Sequence, residues 1–392
     1  MALVTITYQD LLDFCEEGNS NDSLRQRLVN DIGRAYGSNG LGILSVSGVP
    51  GFVELRERLL PLAAKVSELP PEDLDSCVSE KACYAVGWSH GKEELTPGVP
   101  DLSKGSFYAN PLVNDLVAAM MQRLHQNSND NPQEEEERLW QLIQDNFPFF
   151  APNIFPSTLP ELETAISEMG QCIAKVGRMV SRVCRVFCEQ HGVLVDLEKI
   201  LTESLNCKAR LLHYFEANNN STQPDEGDQL WCGWHNDHGS LTGLVPAMYL
   251  STQKPQKQLP AAPDSNAGLY IHSRSNEVVK VSLPTDCIGY QIGETFQILS
   301  GGLLQATPHA VKSTLTKGVT REAFAVFLEP EYEFPMTIPE GRTVDDCCCP
   351  DNPANKALKL NSIKSRWKKG MCFGEFNNIT IQTFHKQLDA AE

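Results

Sequence analysis

Residues 234–242 carry the sequence Trp-His-Asn-Asp-His-Gly-Ser-Leu-Thr, and this stretch is the most informative part of the chain for its fold. His235 and Asp237 are separated by one residue. Because side chains alternate between the two faces of a β-strand, both would point to the same side. Two imidazoles and one carboxylate can occupy one face of an Fe(II) ion and leave the opposite face open. His309 is predicted to supply the second imidazole from a distant strand.

The stretch belongs to an ordered series of segments that resembles the 2-oxoglutarate/Fe(II)-dependent dioxygenases, in the branch typified by isopenicillin N synthase. Residues 234–242 are similar to the H-x-D-x-G-x-L-T signature of that family. Other similar segments follow in the family's order: Gly268–Ile271, Gln291–Glu294, Ser300–Gly302 and Thr307–Val311. The N-terminal half adds Gly40–Val49 and the segment from Asn153 to Pro160. The order of the segments makes the resemblance specific, since each one alone is a weak signal.

The resemblance implies a metal site and a cosubstrate. Fe(II) would be held by His235, Asp237 and His309, with 2-oxoglutarate and dioxygen as cosubstrates. Arg321 lies near the family's 2-oxoglutarate-binding arginine. A guanidinium suits this role because its planar donors bind a carboxylate in pairs.

Two positions depart from the family pattern beside this arginine. Ala323 stands where the family has a serine, and Phe215 aligns with the tyrosine that contacts the far carboxylate of the cosubstrate. A replacement donor is expected from His213 or Tyr214. On the same predicted strand, Arg210 is a candidate for binding a substrate carboxylate, with a structural ion pair as the alternative.

The function implied by the resemblance is that of an Fe(II)/2-oxoglutarate-dependent dioxygenase, an oxidoreductase that hydroxylates, desaturates or cyclises a small organic molecule. The departures at Ala323 and Phe215 keep two alternatives open. One is an Fe(II) oxidase like isopenicillin N synthase, which needs no 2-oxoglutarate. The other is a non-catalytic binding protein on the same scaffold.

The pattern of the chain predicts an α+β fold. An apolar stripe with helical spacing runs from Leu159 to His191, and Gly192 is expected to end that helix. After Leu205 short β-rich runs dominate, which suggests a barrel or a double-sheet jelly roll. The expected fold is a double-stranded β-helix (jelly roll) core braced by the long helix, with a helical N-terminal region. The expected regions are 1–200, mostly helical; 201–335, the jelly-roll core; and 336–392, a C-terminal extension.

Individual elements are predicted within this frame. Helices are expected at 23–36 and 53–66, an irregular segment at 67–108, a loop insertion at 251–267, and a tail after 336 that folds over the mouth of the barrel. The predicted strands are 209–215, 229–234, 241–250, 268–272, 278–281, 287–292, 296–300, 305–311 and 321–328.

Composition limits the classes of partner. The 392 residues carry a net charge of −17, which argues against nucleic acid and anionic membranes as partners. The resemblance implies a small-molecule substrate. No signal peptide and no bilayer-length apolar stretch is evident. Thirteen cysteines, three of them adjacent at Cys347–Cys349, are expected to be thiols. A cytoplasmic monomer is the expectation.

Overall fold

The structure, a computed structural model, describes residues 2–16, 21–96, 99–126, 132–216, 230–314, 316–349 and 353–389, without the side chains of 94–96, 99, 132 and 384–389. The helices of this part are α1 (Tyr8–Cys15), α2 (Asp22–Tyr36), α3 (Phe52–Ser67), α4 (Pro71–Ser76), α5 (Leu116–Gln126), α6 (Pro132–Asp145), α7 (Phe147–Phe150), α8 (Glu161–Gln190), α9 (Leu197–Glu203), α10 (Glu294–Leu299), α11 (Val344–Cys348), α12 (Pro353–Ala357), α13 (Ile363–Arg366) and α14 (Phe373–Asp389). The strands are β1 (Val4–Thr7), β2 (Ile43–Ser47), β3 (Gly87–His90), β4 (Glu94–Thr96), β5 (Val99–Pro100), β6 (Lys104–Ala109), β7 (Cys207–Tyr214), β8 (Leu230–His235), β9 (Leu241–Ser251), β10 (Gly268–His272), β11 (Val278–Val281), β12 (Cys287–Ile292), β13 (His309–Lys312) and β14 (Val319–Leu328).

Two large sheets form the β-structure. The larger has eight strands in the order β1-β2-β12-β9-β14-β7-β6-β3, and the smaller has four in the order β11-β10-β13-β8. A separate pair joins β4 to β5. The β1–β2 pair is parallel and the other pairs of the large sheets are antiparallel. The predicted combination of helices with large β-sheets is confirmed.

The long helix α8 packs directly on the larger sheet, against β9 and β14. Glycines on both sides permit this close approach: a Cβ added at Gly243 of β9 would overlap Ile173 of α8, and one added at Gly177 of α8 would overlap Leu328. The hydroxyl of Tyr290 donates a hydrogen bond to the carbonyl of Ile173 over 2.8 Å. The predicted helix and its end before Gly192, at φ +77°, are both confirmed.

One apolar core joins the helical region to the sheet. The largest cluster of buried side chains includes Leu28 and Val180 before residue 200, and Leu241 and Phe324 after it. Packing is therefore continuous across the predicted boundary at 200/201, and the three-region division stays a prediction. The C-terminal residues build a smaller cluster that includes Trp367 and reaches α10 through Ile298.

The predicted strand at 296–300 is wrong, because these residues belong to helix α10. All six residues of α10 are buried. A short apolar run without a solvent-facing side has no visible period, so sequence alone cannot separate a helix from a strand there. Burial on both sides explains the pattern: Phe296 and Leu299 pack into the main core, and Ile298 packs into the C-terminal cluster.

The segment predicted to be irregular, 67–108, contains helix α4 and strands that extend the larger sheet. Strand β6 pairs with β7, and β3 pairs with β6 at the edge. These strands are rich in Gly and Ser and carry little apolar alternation, so long-range pairing determines their structure. The predicted helices 23–36 and 53–66 are confirmed as α2 and α3.

The thirteen cysteines all lie in the described part of the chain and are free thiols, as expected. Of the adjacent cysteines, Cys347 and Cys348 are buried in the C-terminal cluster. Within the described residues, the helices are too short or too polar to cross a bilayer.

Candidate metal centre and its cavity

The three predicted metal ligands lie together. His235, the last residue of β8, pairs in register with His309 on β13, and the two ring centres are 4.2 Å apart. Oδ1 of Asp237 lies 3.7 Å from Nε2 of each histidine. All three ligand atoms fall within 4.8 Å of one another, and this is the group that could hold a metal among the described residues.

Asp237 reaches the site from a turn. Strand β8 ends at His235, so the strand alternation expected for His235 and Asp237 does not extend to the carboxylate. The turn nevertheless returns Asp237 to the side of the two histidines. Its position therefore depends on hydrogen bonds rather than on strand pairing.

In His235 and in Asp237, a hydrogen bond occupies one side-chain atom and leaves another atom available for a metal. Nδ1 of His235 donates to the carbonyl of Gly233 over 2.8 Å, which leaves Nε2 as the nitrogen that can bind a metal after losing its proton. The hydroxyl of Thr242 donates to Oδ2 of Asp237 over 2.6 Å, which leaves Oδ1. Thr242 lies in the signature stretch, but its contact with the carboxylate was not predicted from the sequence.

Gln291 is the corresponding partner of His309. Its side-chain amide lies 2.6 Å from Nδ1 of the ring, and its Oε1 is buried and lacks a hydrogen-bond partner among the described residues. With the amide turned so that Oε1 faces the ring, Nδ1 donates to it and Nε2 of His309 is free for a metal. The sequence motif around Gln291 marked a turn and did not reveal this role.

The protonation states of two of the ligands suit metal binding. Burial, reinforced by the charge of His235, lowers the pKa of His309 to about 4, so this ring is neutral. Burial alone would raise the pKa of Asp237, but His309, His235 and Thr242 outweigh it and lower the pKa, so the carboxylate is ionised.

The protonation state of His235 differs from that of the other two ligands because its ring lies beside the thiol of Cys232. Burial lowers its pKa, but Cys232, with Sγ 3.9 Å from Nδ1, and Asp237 outweigh burial and raise the pKa to about 9. Metal ions bind neutral imidazole, so a bound metal would displace a proton from His235.

The ligands open into a cavity of about 520 Å³. Although the protein is acidic, the described residues that line this cavity include one carboxylate and four basic side chains: Asp237, Arg56, Arg210, Lys280 and Arg321. The predicted insertion at 251–267 forms part of the wall and contributes Gln258, Leu259, Pro260, Ala261, Ala262 and Ala267. The cavity therefore favours anionic ligands next to an apolar surface.

Arg321 presents unpaired donors to this cavity. It is 8% exposed, and its Nε and Nη1 are buried without a hydrogen-bond partner in the described part of the chain. Its register neighbours are Tyr214 on β7 and Tyr249 on β9, and its guanidinium lies 4.9 Å from the centre of the Tyr214 ring. A buried cation without a counter-ion is unfavourable, so this arrangement suits an anionic ligand such as a carboxylate.

The other predicted cosubstrate residues divide between the two faces of β7. Tyr214 lines the cavity, whereas His213 is not among the lining residues and its Nδ1 lies 2.9 Å from the buried carboxylate of Glu322. Phe215 follows the strand and packs beside the His213 ring, with the ring centres 4.5 Å apart. Tyr214, rather than Phe215, is thus the aromatic residue next to Arg321. Because alternate residues of a strand face opposite sides, Tyr214 shares the face of Arg321, whereas His213 shares that of Glu322.

Arg210 forms the ion pair that was the alternative to a substrate role. Its Nη2 donates to Glu93 over 2.5 Å and to Ser106 over 2.9 Å. Arg210 also lines the cavity, so a contact with substrate stays a prediction.

The C-terminal residues do not cover the mouth of the cavity as predicted. Among the described residues, those that line the cavity all precede residue 328. The C-terminal helices lie instead against the outer side of the turn that carries Asp237, where Asn236 and His238 contact Asn355 and Asn377.

The fold is similar to that of solved 2-oxoglutarate/Fe(II) oxygenase structures, which match almost the whole chain. A 2OG-Fe(II) oxygenase family protein from Caulobacter crescentus superposes with a TM-score of 0.61 at 17% identity, over 97% of this chain and 99% of that chain. Full-length T7H from Neurospora crassa, in complex with alpha-KG and thymine, gives 0.59 at 15% identity, over 100% and 97%. JOX2, in complex with 2OG, Fe and JA, gives 0.55 at 16% identity, over 96% and 84%. No protein-family model and no curated protein matches the chain.

We expect Thr242→Val to weaken metal binding by about 10- to 100-fold, the usual effect of removing an outer partner of a metal ligand. Valine keeps the shape of the side chain and removes the hydrogen bond to Oδ2 of Asp237. Anaerobic Fe(II) titration measures the change. Thr202→Val, at an exposed position of α9, is the control and should bind Fe(II) like the wild type. Unchanged affinity in Thr242→Val would exclude a role for this hydroxyl.

Proposed function

We propose that the protein is an Fe(II)- and 2-oxoglutarate-dependent dioxygenase that oxidises a small organic molecule. The observation that carries the proposal is the buried guanidinium of Arg321, whose Nε and Nη1 have no hydrogen-bond partner among the described residues. It lines the same cavity as His235, Asp237 and His309. The metal would occupy the three ligands, and the far carboxylate of 2-oxoglutarate would pair with Arg321. On this proposal the two sheets form the double-stranded β-helix expected from the sequence.

Each part of the cavity has a role in the proposed reaction. Fe(II) with bound 2-oxoglutarate supplies dioxygen activation coupled to decarboxylation of the cosubstrate to succinate and CO2. The chain's contribution is positioning and exclusion of water. Arg321 and Tyr214 orient the cosubstrate, while Leu259, Leu269 and Val311 give the substrate a mainly apolar surface.

Structures of the same fold support the proposal. The Neurospora crassa T7H structure contains alpha-KG with thymine, and JOX2 contains 2OG, Fe and JA. Both pair the cosubstrate with a small organic molecule. For the present chain, a small-molecule substrate, a monomeric state and a cytoplasmic location stay predictions.

The oxidase that needs no 2-oxoglutarate is the second candidate, because Ala323 lines the cavity where the family has a serine. In that case Arg321 would bind a substrate carboxylate. Tyr214, one of the two residues expected to replace the missing tyrosine, lies beside Arg321. This contact favours the 2-oxoglutarate-dependent reaction.

Anaerobic addition of Fe(II) and then 2-oxoglutarate to the apoprotein tests the proposal. We expect Fe(II) binding, followed by a weak visible charge-transfer band when 2-oxoglutarate chelates the metal. Iron binding without the band would favour the oxidase. A protein that binds no Fe(II) would contradict both catalytic functions and leave the non-catalytic scaffold.

A further inference from the structure

The turn that carries the metal ligands has two sides with different partners. His235 and Asp237 face the cavity, whereas Asn236 and His238 face helices α12–α14, which we call the C-terminal segment (residues 353–389). Nδ2 of Asn236 donates to Oδ1 of Asn355 over 3.2 Å. The ring of His238 lies with Nε2 2.8 Å from Oδ1 of Asn377. Two alternate residues of the turn therefore bind the C-terminal segment.

A buried ion pair forms a second connection. Glu294, the first residue of α10, accepts a hydrogen bond over 2.7 Å from Nη2 of Arg366, and the two residues are 1% and 4% exposed. Arg366 also donates to the hydroxyl of Thr380 on α14 over 3.0 Å. The backbone N–H of Glu294 donates to the carbonyl of Asp237 over 2.8 Å. Arg366 is thus connected through one residue to the backbone of a metal ligand.

Helix α10 packs closely against the turn, so the ion pair of Glu294 with Arg366 can affect the position of the turn. A Cβ added at Gly293 would overlap the carbonyl of Gly239. The hydroxyl of Thr295 donates to the carbonyl of His238 over 2.6 Å. The start of α10 and the C-terminal segment together enclose the outer side of the turn.

Asp237 needs such support more than the two histidines do. His235 and His309 lie on paired strands, whereas Asp237 follows the end of β8. Thr242 holds its carboxylate from the cavity side, and Glu294 holds its backbone from the outer side. Metal affinity depends on groups that fix the orientation of the ligands.

We propose that the C-terminal segment is a positioning element of the metal centre, acting through Arg366, Glu294 and the Asn355 and Asn377 contacts on the position of Asp237. The inference rests on the proposed metal site and extends it to residues far along the chain that do not line the cavity. When the C-terminal segment packs against the turn, it holds Asp237 where this residue completes the metal site. Loosening this packing lowers the metal affinity.

Full-length variants test this inference with Co(II), whose visible absorption reports both affinity and ligand geometry. In Arg366→Met we expect Co(II) affinity to fall by about tenfold or more and the bands to shift, since an outer support of a ligand is lost. Arg366→Lys, which keeps the charge, should recover part of the affinity. Leu28→Ala truncates the core on α2 and serves as the control for lost stability: its melting temperature should fall while the Co(II) spectrum of the folded protein is unchanged.

If Arg366→Met does not fold, the Asn355→Ala/Asn377→Ala double variant tests the inference, because it leaves the buried ion pair of Arg366 and Glu294 intact. Weaker Co(II) binding with shifted bands supports the inference. Wild-type affinity and spectrum in the folded variants overturn it. If the wild-type protein itself binds no Co(II), the proposed metal centre fails, and the inference fails with it.

Discussion

Asp237→Ala is expected to abolish metal-dependent turnover and to lower Fe(II) affinity by more than the roughly 100-fold that loss of an outer partner can cost. The carboxylate is the sole anionic ligand in the group, and its Oδ1 lies 3.7 Å from Nε2 of both histidines. Two neutral imidazoles alone bind a divalent ion less strongly and do not complete the three-ligand face. Anaerobic titration of the apoprotein with Fe(II) gives the affinity, and cosubstrate consumption gives the turnover.

Two controls separate loss of the ligand from loss of the fold. Asp237→Glu keeps the charge and is expected to retain weakened metal binding. Asp75→Ala removes an exposed carboxylate elsewhere and should bind Fe(II) like the wild type. Wild-type Fe(II) affinity in Asp237→Ala would exclude this group as the metal centre.

Arg321→Leu is expected to raise the dissociation constant of 2-oxoglutarate by roughly 30- to 5000-fold, equivalent to about 2–5 kcal/mol for removing one partner of a buried charge pair. Nε and Nη1 of Arg321 are buried and have no hydrogen-bond partner in the described part of the chain, so an interaction with a carboxylate would have little competition. Fe(II) affinity without cosubstrate should change little, because Arg321 is not one of the ligands. Binding is followed through the charge-transfer band or by calorimetry.

Arg321→Lys is the matched variant, with the charge kept and the planar pair of donors lost. We expect its 2-oxoglutarate affinity to lie between those of the wild type and Arg321→Leu. Unchanged 2-oxoglutarate affinity in both variants would contradict the assigned role. Loss of substrate binding alone would instead favour the oxidase.

The features predicted well from the sequence are those with local signals. The stripe of α8 repeats along one helix, and the H-x-D stretch places two chemically specific side chains near each other whatever surrounds them. His309 and Arg321 could be identified because the resemblance supplied their order in the chain. The class of fold and the candidate metal ligands were therefore available before the structure.

The errors concern features that depend on residues distant in the chain. Residues 296–300 form a helix because they are buried between two clusters, and the apolar run itself has no period. The sequence left His213 and Tyr214 open as the replacement donor, and only the pairing of β7 with β14 determines that Tyr214 lies beside Arg321. The C-terminal residues were expected at the mouth, but side-chain contacts with the metal-ligand turn place them behind the site.

The sequence by itself determined the ligand types, the long helix and the change from helical to β-rich structure, since these follow from side-chain chemistry and local periodicity. Tertiary structure decided which face each strand presents, which outer partners hold the ligands, and where the C-terminal segment packs. Gln291 and Glu294 acquire their roles only when separate segments meet. The physical reason is that hydrogen bonds and burial between distant segments leave no periodic trace in the chain.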